Sequence, residues 1–289
     1  MRNHGKKKDI LLGAHVSAAN GLDKAIDRAE AINANCIQIF TKSNRQWKAK
    51  EITKETINLL LAKQKKSNVQ VIVAHAAYLI NLGSQNDEVV TKSIQSLAQE
   101  LQRCEQLHIP FLVLHPGSTR FDNDIPQSLH FIAQNINTAL TESKTQHVTL
   151  LVETMAGQGK NLGYTFEQLA TILQHVEQKN RIGVCFDTCH AFVAGYKFDT
   201  PENYLALWKH FDQTIGLSKL KVFHINDSKK EYKSRVDRHE HIGQGKIPQT
   251  SFQFIMQDKQ FKHIPKILET PKENETDDIK NIETLKKLL

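Results

Sequence analysis

Apolar residues along this chain follow two alternating rhythms. Runs of five or six mostly apolar residues recur at Ile10–His15, Cys36–Phe40, Val71–His75, Phe111–His115, Val148–Glu153, Ile182–Asp187, Leu220–His224 and Ile264–Glu269. Continuous runs of this length suit strands buried on both faces. Between them the spacing of apolar residues widens to three and four. Examples are Leu22, Ile26, Ala29 and Ile32; Val90, Ile94, Leu97, Leu101 and Cys104; Leu129, Ile132, Ile136 and Leu140. Phe166, Leu169, Leu173 and Val176 continue the pattern, as do Leu205, Trp208 and Phe211. This is the spacing of amphipathic helices. Strand and helix alternate about every 35 residues, which predicts parallel βα units. Eight such units predict an α/β fold, a single-domain TIM (β/α)8 barrel. Residues 1–8 read as a basic tail and 9–289 as the barrel. Ile279, Ile282, Leu285 and Leu289 predict a closing helix, and Asn226 to Gly245 is the longest stretch without periodicity. A loop of that length usually carries function.

The ends of the runs carry the chemistry. His15, His75, His115, Glu153, Asp187, His224 and Glu269 each close one; the eighth closes at Phe40 and runs on into Thr41-Lys42. In a barrel the C-terminal strand ends converge on one mouth, where catalysis sits. Three carboxylates converging there repel one another unless cations neutralise them, so the set predicts metal binding. A carboxylate can bridge two cations and an imidazole cannot. His75 and His115 precede Glu153 on neighbouring strands. Glu153 is therefore the natural bridge between a His75/His115 metal and a second metal held by Asp187, His224 and Glu269. Two-metal sites of this kind suit phosphoryl chemistry.

Further donors are less fixed by pattern. In Cys185-Phe-Asp-Thr-Cys-His190, His190 stands three residues past Asp187 and can serve the same metal or an adjacent one. In Asp237-Arg-His-Glu-His241, alternation puts Asp237, His239 and His241 on one side of an extended segment. Cys185 and Cys189 are discounted as zinc thiolates: Cys185 lies inside a strand and no second cysteine pair completes a four-thiolate site. His15 supports the ligands or contacts phosphate, or else is structural. Gly157-Gln-Gly159 and Gly243-Gln-Gly245 either offer amides to phosphate or make tight turns. The remaining histidines fall in the tail (His4), on helical stretches (His130, His175, His210) or before strands (His108, His147, His263), and read as structural or solvent-facing.

Composition narrows the partners. The chain has 289 residues, with 24% charged and 39% hydrophobic, ordinary for a soluble globular protein. No apolar run approaches the roughly 18 residues needed to span a membrane, and no signal-like stretch follows the basic N-terminus. The expectation is an intracellular, cytoplasmic protein. The net charge of +7 favours polyanionic partners. The four cysteines (Cys36, Cys104, Cys185 and Cys189) read as reduced core residues.

These motifs together resemble the endonuclease IV family of apurinic/apyrimidinic endonucleases. The resemblance lies in Gly13-Ala-His-Val-Ser17, Phe40-Thr-Lys, Arg45-Gln-Trp47, His75-Ala-Ala-Tyr-Leu-Ile-Asn-Leu-Gly83 and His115-Pro-Gly-Ser118. It continues, in order, through Glu153-Thr-Met-Ala-Gly-Gln-Gly159, Asp187-Thr-Cys-His190, His224-Ile-Asn-Asp-Ser-Lys229, Arg235-Val-Asp-Arg-His239 and Leu268-Glu-Thr270. It implies a DNA repair enzyme with three zinc ions. One takes His75, His115 and Glu153; a second takes Glu153, Asp187, His224 and Glu269; a third takes His190, Asp237 and His239. The implied reaction is hydrolysis 5′ to an abasic site in double-stranded DNA by zinc-activated hydroxide, with Glu153 assisting, leaving a 3′-hydroxyl and a 5′-deoxyribose phosphate. Trimming of blocked 3′ ends is also implied, as are a monomeric state and insertion of Arg45, Tyr78 and Leu79 into the DNA. The chain departs from the family pattern at Ala76 and Ala77, where polar residues are usual, and at Phe186, usually aliphatic. Lys233 stands where a glycine is expected, and His241 is an additional imidazole beside the third group. The rival readings are a metal-dependent sugar isomerase or epimerase on a related barrel, and a non-catalytic lesion binder with structural zinc.

Overall fold

The computed structural model describes residues 10–122 and 124–289, so the basic segment 1–8 and His4 lie outside the described residues. The strands are β1 (Leu12–His15), β2 (Cys36–Ile39), β3 (Val71–His75), β4 (Phe111–Leu114), β5 (Thr149–Glu153), β6 (Ile182–Asp187), β7 (Leu220–His224), β8 (Asp227–Ser228), β9 (His239–Glu240) and β10 (Lys266–Leu268). The helices are α1 (Lys24–Ala31), α2 (Lys54–Lys66), α3 (Asp87–Gln106), α4 (Ile125–Ser143), α5 (Phe166–His175), α6 (Thr188–Ala194), α7 (Pro201–Thr214), α8 (Gln249–Gln257) and α9 (Asp277–Lys286). Eight strands pair in parallel around a closed barrel in the order β1-β10-β7-β6-β5-β4-β3-β2. β8 and β9 form a separate antiparallel pair. The predicted TIM barrel is therefore present, and the loop between β7 and α8 contains a small ladder that the sequence pattern did not announce. Among the described residues no helix is long and apolar enough to cross a membrane.

Strand periodicity explains where the mouth residues point. A separate apolar cluster fills the barrel interior: Cys36, Val73, Val113, Leu151, Cys185, Val222 and Ile267. Side chains two positions apart on a strand share a face. The next inward-facing residues are Gln38, His75, His115, Glu153, Asp187, His224 and Glu269. The donors thus form a layer directly above the apolar plug, which closes the barrel axis beneath them. Gly13 occupies the corresponding position on β1. A Cβ there would lie 1.7 Å from the Cys36 carbonyl oxygen, so only glycine allows this approach.

A second, larger core lies between the outer faces of the strands and the helices. The stripes predicted on α1, α3, α4 and α5 are inward-facing apart from the half-buried Ile94. On α7 the reading needs correction: Leu205 is 68% exposed, and the buried face is Tyr204, Leu207, Trp208 and Phe211. Pro201 at the start of the helix sets its phase, and an N-cap bond from Asn203 N–H to Thr200 fixes it. Leu289 is likewise exposed, while Leu288 takes its place in the core.

Candidate metal centre at the barrel mouth

The strand-end donors converge as the barrel geometry requires. Glu153 lies at the centre, fully buried. Its Oε2 is 3.3 Å from His75 Nε2 and 3.2 Å from His115 Nε2. Its Oε1 is 3.0 Å from His224 Nδ1 and 3.3 Å from His190 Nδ1. His224 Nδ1 is also 3.1 Å from Glu269 Oε2 and 3.9 Å from Asp187 Oδ2. Two donor sets follow, each with ligand atoms within 4.8 Å of one another: His75, His115 and Glu153; and Glu153, Asp187, His224 and Glu269. Glu153 belongs to both.

A third cluster lies beside them. His190 Nε2 is 3.1 Å from Asp237 Oδ2, and His239 Nε2 is 3.4 Å from Asp237 Oδ1 and 3.7 Å from Asp187 Oδ2. Asp187, His190 and His239 form one compact donor set here, and Cys189, Asp237 and His239 another. His241 is turned away, its Nδ1 3.0 Å from Asn281 Nδ2, so the imidazole of this loop that faces the centre is His239.

The imidazoles are held in the tautomers a metal would require. Nδ1 of His75, His190 and His239 each donates to a backbone carbonyl: Ala76 at 2.7 Å, Thr154 at 2.9 Å and Glu269 at 3.0 Å. That leaves each Nε2 facing the mouth, where its lone pair is offered once the ring is unprotonated. Nε2 of His190 and of His239 are buried and have no hydrogen-bond partner among the described residues. Buried nitrogens without partners are costly, and both face carboxylates. This is the arrangement a cation completes. His224 is reversed. Its Nε2 donates to Gln38 Oε1 at 2.8 Å, so its free nitrogen is Nδ1, the one aimed at Glu153 and Glu269.

Gln38 is a residue of this cluster that the sequence reading missed. It is fully buried, and its Nε2 donates to Glu269 Oε1 at 2.6 Å and approaches His15 Nδ1 at 3.0 Å. One amide therefore orients His224, Glu269 and His15. The signal was present as a lone polar residue inside the apolar run Cys-Ile-Gln-Ile. His15 lies behind Glu269, its Nδ1 3.5 Å from Oε1. Asn226 plays the same part opposite, donating to Asp187 Oδ2 at 2.8 Å and accepting from Glu269 N–H at 2.7 Å.

Electrostatics follow from crowding. Burial alone would raise Glu153, but His224, His115 and His190 hold it well below the usual carboxylate range. Burial alone would lower His190, yet Asp187, Asp237 and Glu153 raise it well above the usual imidazole value. Against the same burial penalty His224 is raised by the Glu269 and Glu153 carboxylates. His190 and His239 bring Asp237 down to about 2 against its partial burial. In the metal-free protein, protons on His190 and His224 thus stand in for cations. Burial pushes the Cys185 and Cys189 thiols up to about 12, as expected of unreactive core residues.

The third cluster depends on its loop. Asp227 is buried and accepts four backbone N–H groups: Ser228 (2.7 Å) and Ile247 (3.0 Å) on Oδ1, Gly243 (3.0 Å) and Gly245 (3.0 Å) on Oδ2. The second Gly-x-Gly is therefore a turn wrapped on a carboxylate, not a phosphate cradle. The first serves the loop as well: Gln158 Oε1 accepts from Asp237 N–H at 2.9 Å. Lys233 adopts φ +64°, the conformation a glycine would take.

The proposed DNA-facing residues sit around the rim. Tyr78 is 57% exposed, with its ring 5.4 Å from those of His75 and Phe40 and 5.6 Å from that of His115. Leu79 is half-buried beside it, and Arg45 is exposed on the β2–α2 loop, where Trp47 packs against the core.

A family model described as a xylose isomerase-like TIM barrel matches residues 26–288. The chain is 42% identical to "Probable endonuclease 4" of Chloroflexus aggregans over 278 residues, 96% of this chain and 97% of that one. The chain belongs to the endonuclease IV family. It is also 43% identical to "Probable endonuclease 4" of Geotalea daltonii over 284 residues, 98% of this chain and 99% of that one. The crystal structure of endonuclease IV from Thermus thermophilus superposes with a TM-score of 0.85 at 34% identity, covering 96% of this chain and 98% of that one. Membership makes the mouth cluster the place to look for nuclease chemistry.

Proposed function

We propose that this endonuclease IV family member hydrolyses the phosphodiester 5′ to abasic sites in double-stranded DNA, leaving a 3′-hydroxyl and a 5′-deoxyribose phosphate, and trims blocked 3′ ends. The observation that carries the reading is the donor layer itself. One buried carboxylate, Glu153, is shared by two donor sets, and beside them are two buried imidazole nitrogens without hydrogen-bond partners among the described residues. We assign His75, His115 and Glu153 to one zinc, and Glu153, Asp187, His224 and Glu269 to a second. His190, Asp237 and His239 take the third. Bound zinc would polarise the phosphoryl oxygens, acidify a water and stabilise the leaving 3′-oxygen.

The chain's own residues supply the frame. Glu153 sits between the first two groups, where its carboxylate orients the nucleophile towards phosphorus. Gln38 and Asn226 keep Glu269, His224 and Asp187 fixed, which limits reorganisation during reaction. The apolar plug below closes the barrel to water from beneath. At the rim, Arg45, Tyr78 and Leu79 fill the gap left by the missing base, where extrusion costs little because stacking is already lost. A sugar isomerase needs neither the third donor group nor such a rim, and a pure lesion binder needs no bridging carboxylate.

The test is incision of a duplex bearing one abasic site, with and without prolonged chelation, with the product ends mapped. Chelator-sensitive incision leaving a 3′-hydroxyl is expected. A fully zinc-loaded protein that leaves the duplex intact would overturn the assignment.

A further inference from the structure

A buried ion pair behind the rim joins the two loops that carry Arg45 and Tyr78. Lys42, just after β2, faces Glu100 of α3 with Nζ 3.4 Å from Oε1, and the side chains are 2% and 1% exposed. Such a pair is a poor source of net stability, because desolvating two charges offsets their attraction. Its remaining bonds go to loop backbone. Lys42 Nζ donates to the carbonyls of Gln46 (2.8 Å) and Trp47 (3.2 Å). Glu100 Oε1 accepts from the amide of Ala77 at 3.1 Å. On the same face of α3, one turn later, Arg103 donates to the carbonyls of Lys50 (2.7 Å) and Thr41. The first pinned carbonyl is the next residue after Arg45, and the pinned amide is the residue before Tyr78.

We infer that the Lys42–Glu100 pair is a positioning unit that fixes the spacing of the Arg45 loop and the Tyr78 loop before DNA arrives. The inference rests on the proposed function for what those loops do. Both side chains are buried beneath the rim, so their effect passes through the backbone they hold. Ordering two loops during binding would cost affinity, and a frame built in advance removes that cost. Arg103 closes the far end of the first loop, which leaves Arg45 projecting from a segment held at both ends.

The experiment compares K42M and K42R with the wild-type chain in two readouts. The first is acrylamide quenching of Trp47 without DNA, in a W208F background; Trp47 and the buried Trp208 are the two tryptophans. K42M is expected to increase quenching and K42R to restore it. The second separates affinity from chemistry. K42M should bind the abasic duplex about tenfold more weakly, while the single-turnover rate at saturating enzyme and the metal content stay at wild-type values. Should K42M fail to fold, K42M/E100L removes both charges together and reads the same quantities. Unchanged quenching and affinity in a folded variant would overturn the inference. So would a single-turnover rate that falls as far as the affinity, since that would place the pair with the metal ligands. Quenching needs no DNA, so it judges the clamp even if the wild-type chain leaves abasic DNA uncut.

Discussion

The donors at the mouth fall into two groups held in different ways. His75, Glu153, Asp187 and His224 sit on barrel strands, with His115 and Glu269 one residue beyond, above a packed apolar layer. His190, Asp237 and His239 come from a short helix and a long loop, and the Asp237 side chain is 38% exposed. The first group is fixed by strand pairing and by Gln38 and Asn226. In the second, Asp237 and His239 owe their place to one carboxylate, Asp227, and a ladder of two residues on each side, while His190 is held by α6 and the Thr154 carbonyl. A rigid frame and a replaceable attachment thus meet at Glu153 and Asp187. The difference predicts that damage to the strands abolishes chemistry, whereas damage to the loop removes one group and leaves the other.

The largest effect should come from the residue both strand-borne sets share. Glu153→Gln keeps the shape and removes the charge that balances His75, His115, His190 and His224. Incision should fall by about 10²–10³-fold or more, while binding to abasic duplex persists. Near-normal single-turnover incision by this variant would show that Glu153 bridges nothing.

Chelation should then reverse the pH dependence of stability. His75, His190 and His224 are each raised above 6.5 in the metal-free protein, where burial is outweighed by nearby carboxylates. A raised histidine stabilises the fold fully below its unfolded value and loses that contribution as pH climbs through its folded value. The chelated protein should therefore melt at a lower temperature at pH 8 than at pH 6. With metal bound the same nitrogens must be unprotonated, so stability should rise over that interval. Thermal melts of both forms across the interval check this. Parallel curves would mean that the histidines do not exchange protons for cations.

Legibility in the sequence divides along the same line. Strand ends could be read because a buried run has a period of two and ends where the mouth begins, so His75, His115, Glu153, Asp187, His224 and Glu269 announced themselves. Gln38 did not, because its run has no ligand at its end and a single amide inside a strand resembles an ordinary polar substitution. The loop was harder. Its fold depends on Asp227 reaching amides up to twenty residues away, and no local period encodes that contact. His239 and His241 have the same residue type and the same side of an extended segment; contacts from distant elements separate their roles, Asn281 of α9 holding His241 away and the Glu269 carbonyl holding His239 at the centre. Lys42 and Glu100 are equally silent, being charges on different elements that look solvent-facing until the barrel closes.

A smaller loss is expected when the loop alone is loosened. Asp227→Asn places an amide donor against N–H groups that now meet a carboxylate oxygen. β8 and β9 should separate, and His239 should drift from Asp237. Metal analysis should show loss of one equivalent with two retained, and incision should fall by about 10–100-fold. Loss of all metal together would mean that the two groups form a single cooperative site and that the division drawn above is false.

The smallest effect tests whether the loop is strained. Lys233 holds φ +64° where a side chain is disfavoured by about 1–2 kcal/mol. Glycine removes that cost but adds freedom to the unfolded chain, worth about 0.5–1 kcal/mol. Lys233→Gly should therefore leave stability unchanged or raise it by up to about 1.5 kcal/mol, measured by denaturant unfolding of the metal-free protein. Lys233 also spends its length locally: its Nζ lies 5.3 Å from the Tyr232 ring, and its stem covers Gly195. Clear destabilisation by glycine would mean that this packing outweighs the backbone cost, and that the loop has replaced a conformational preference with a side-chain contact. In that case the loop-borne group would be held more firmly than its two-residue ladder suggests, and the contrast with the strands would narrow accordingly.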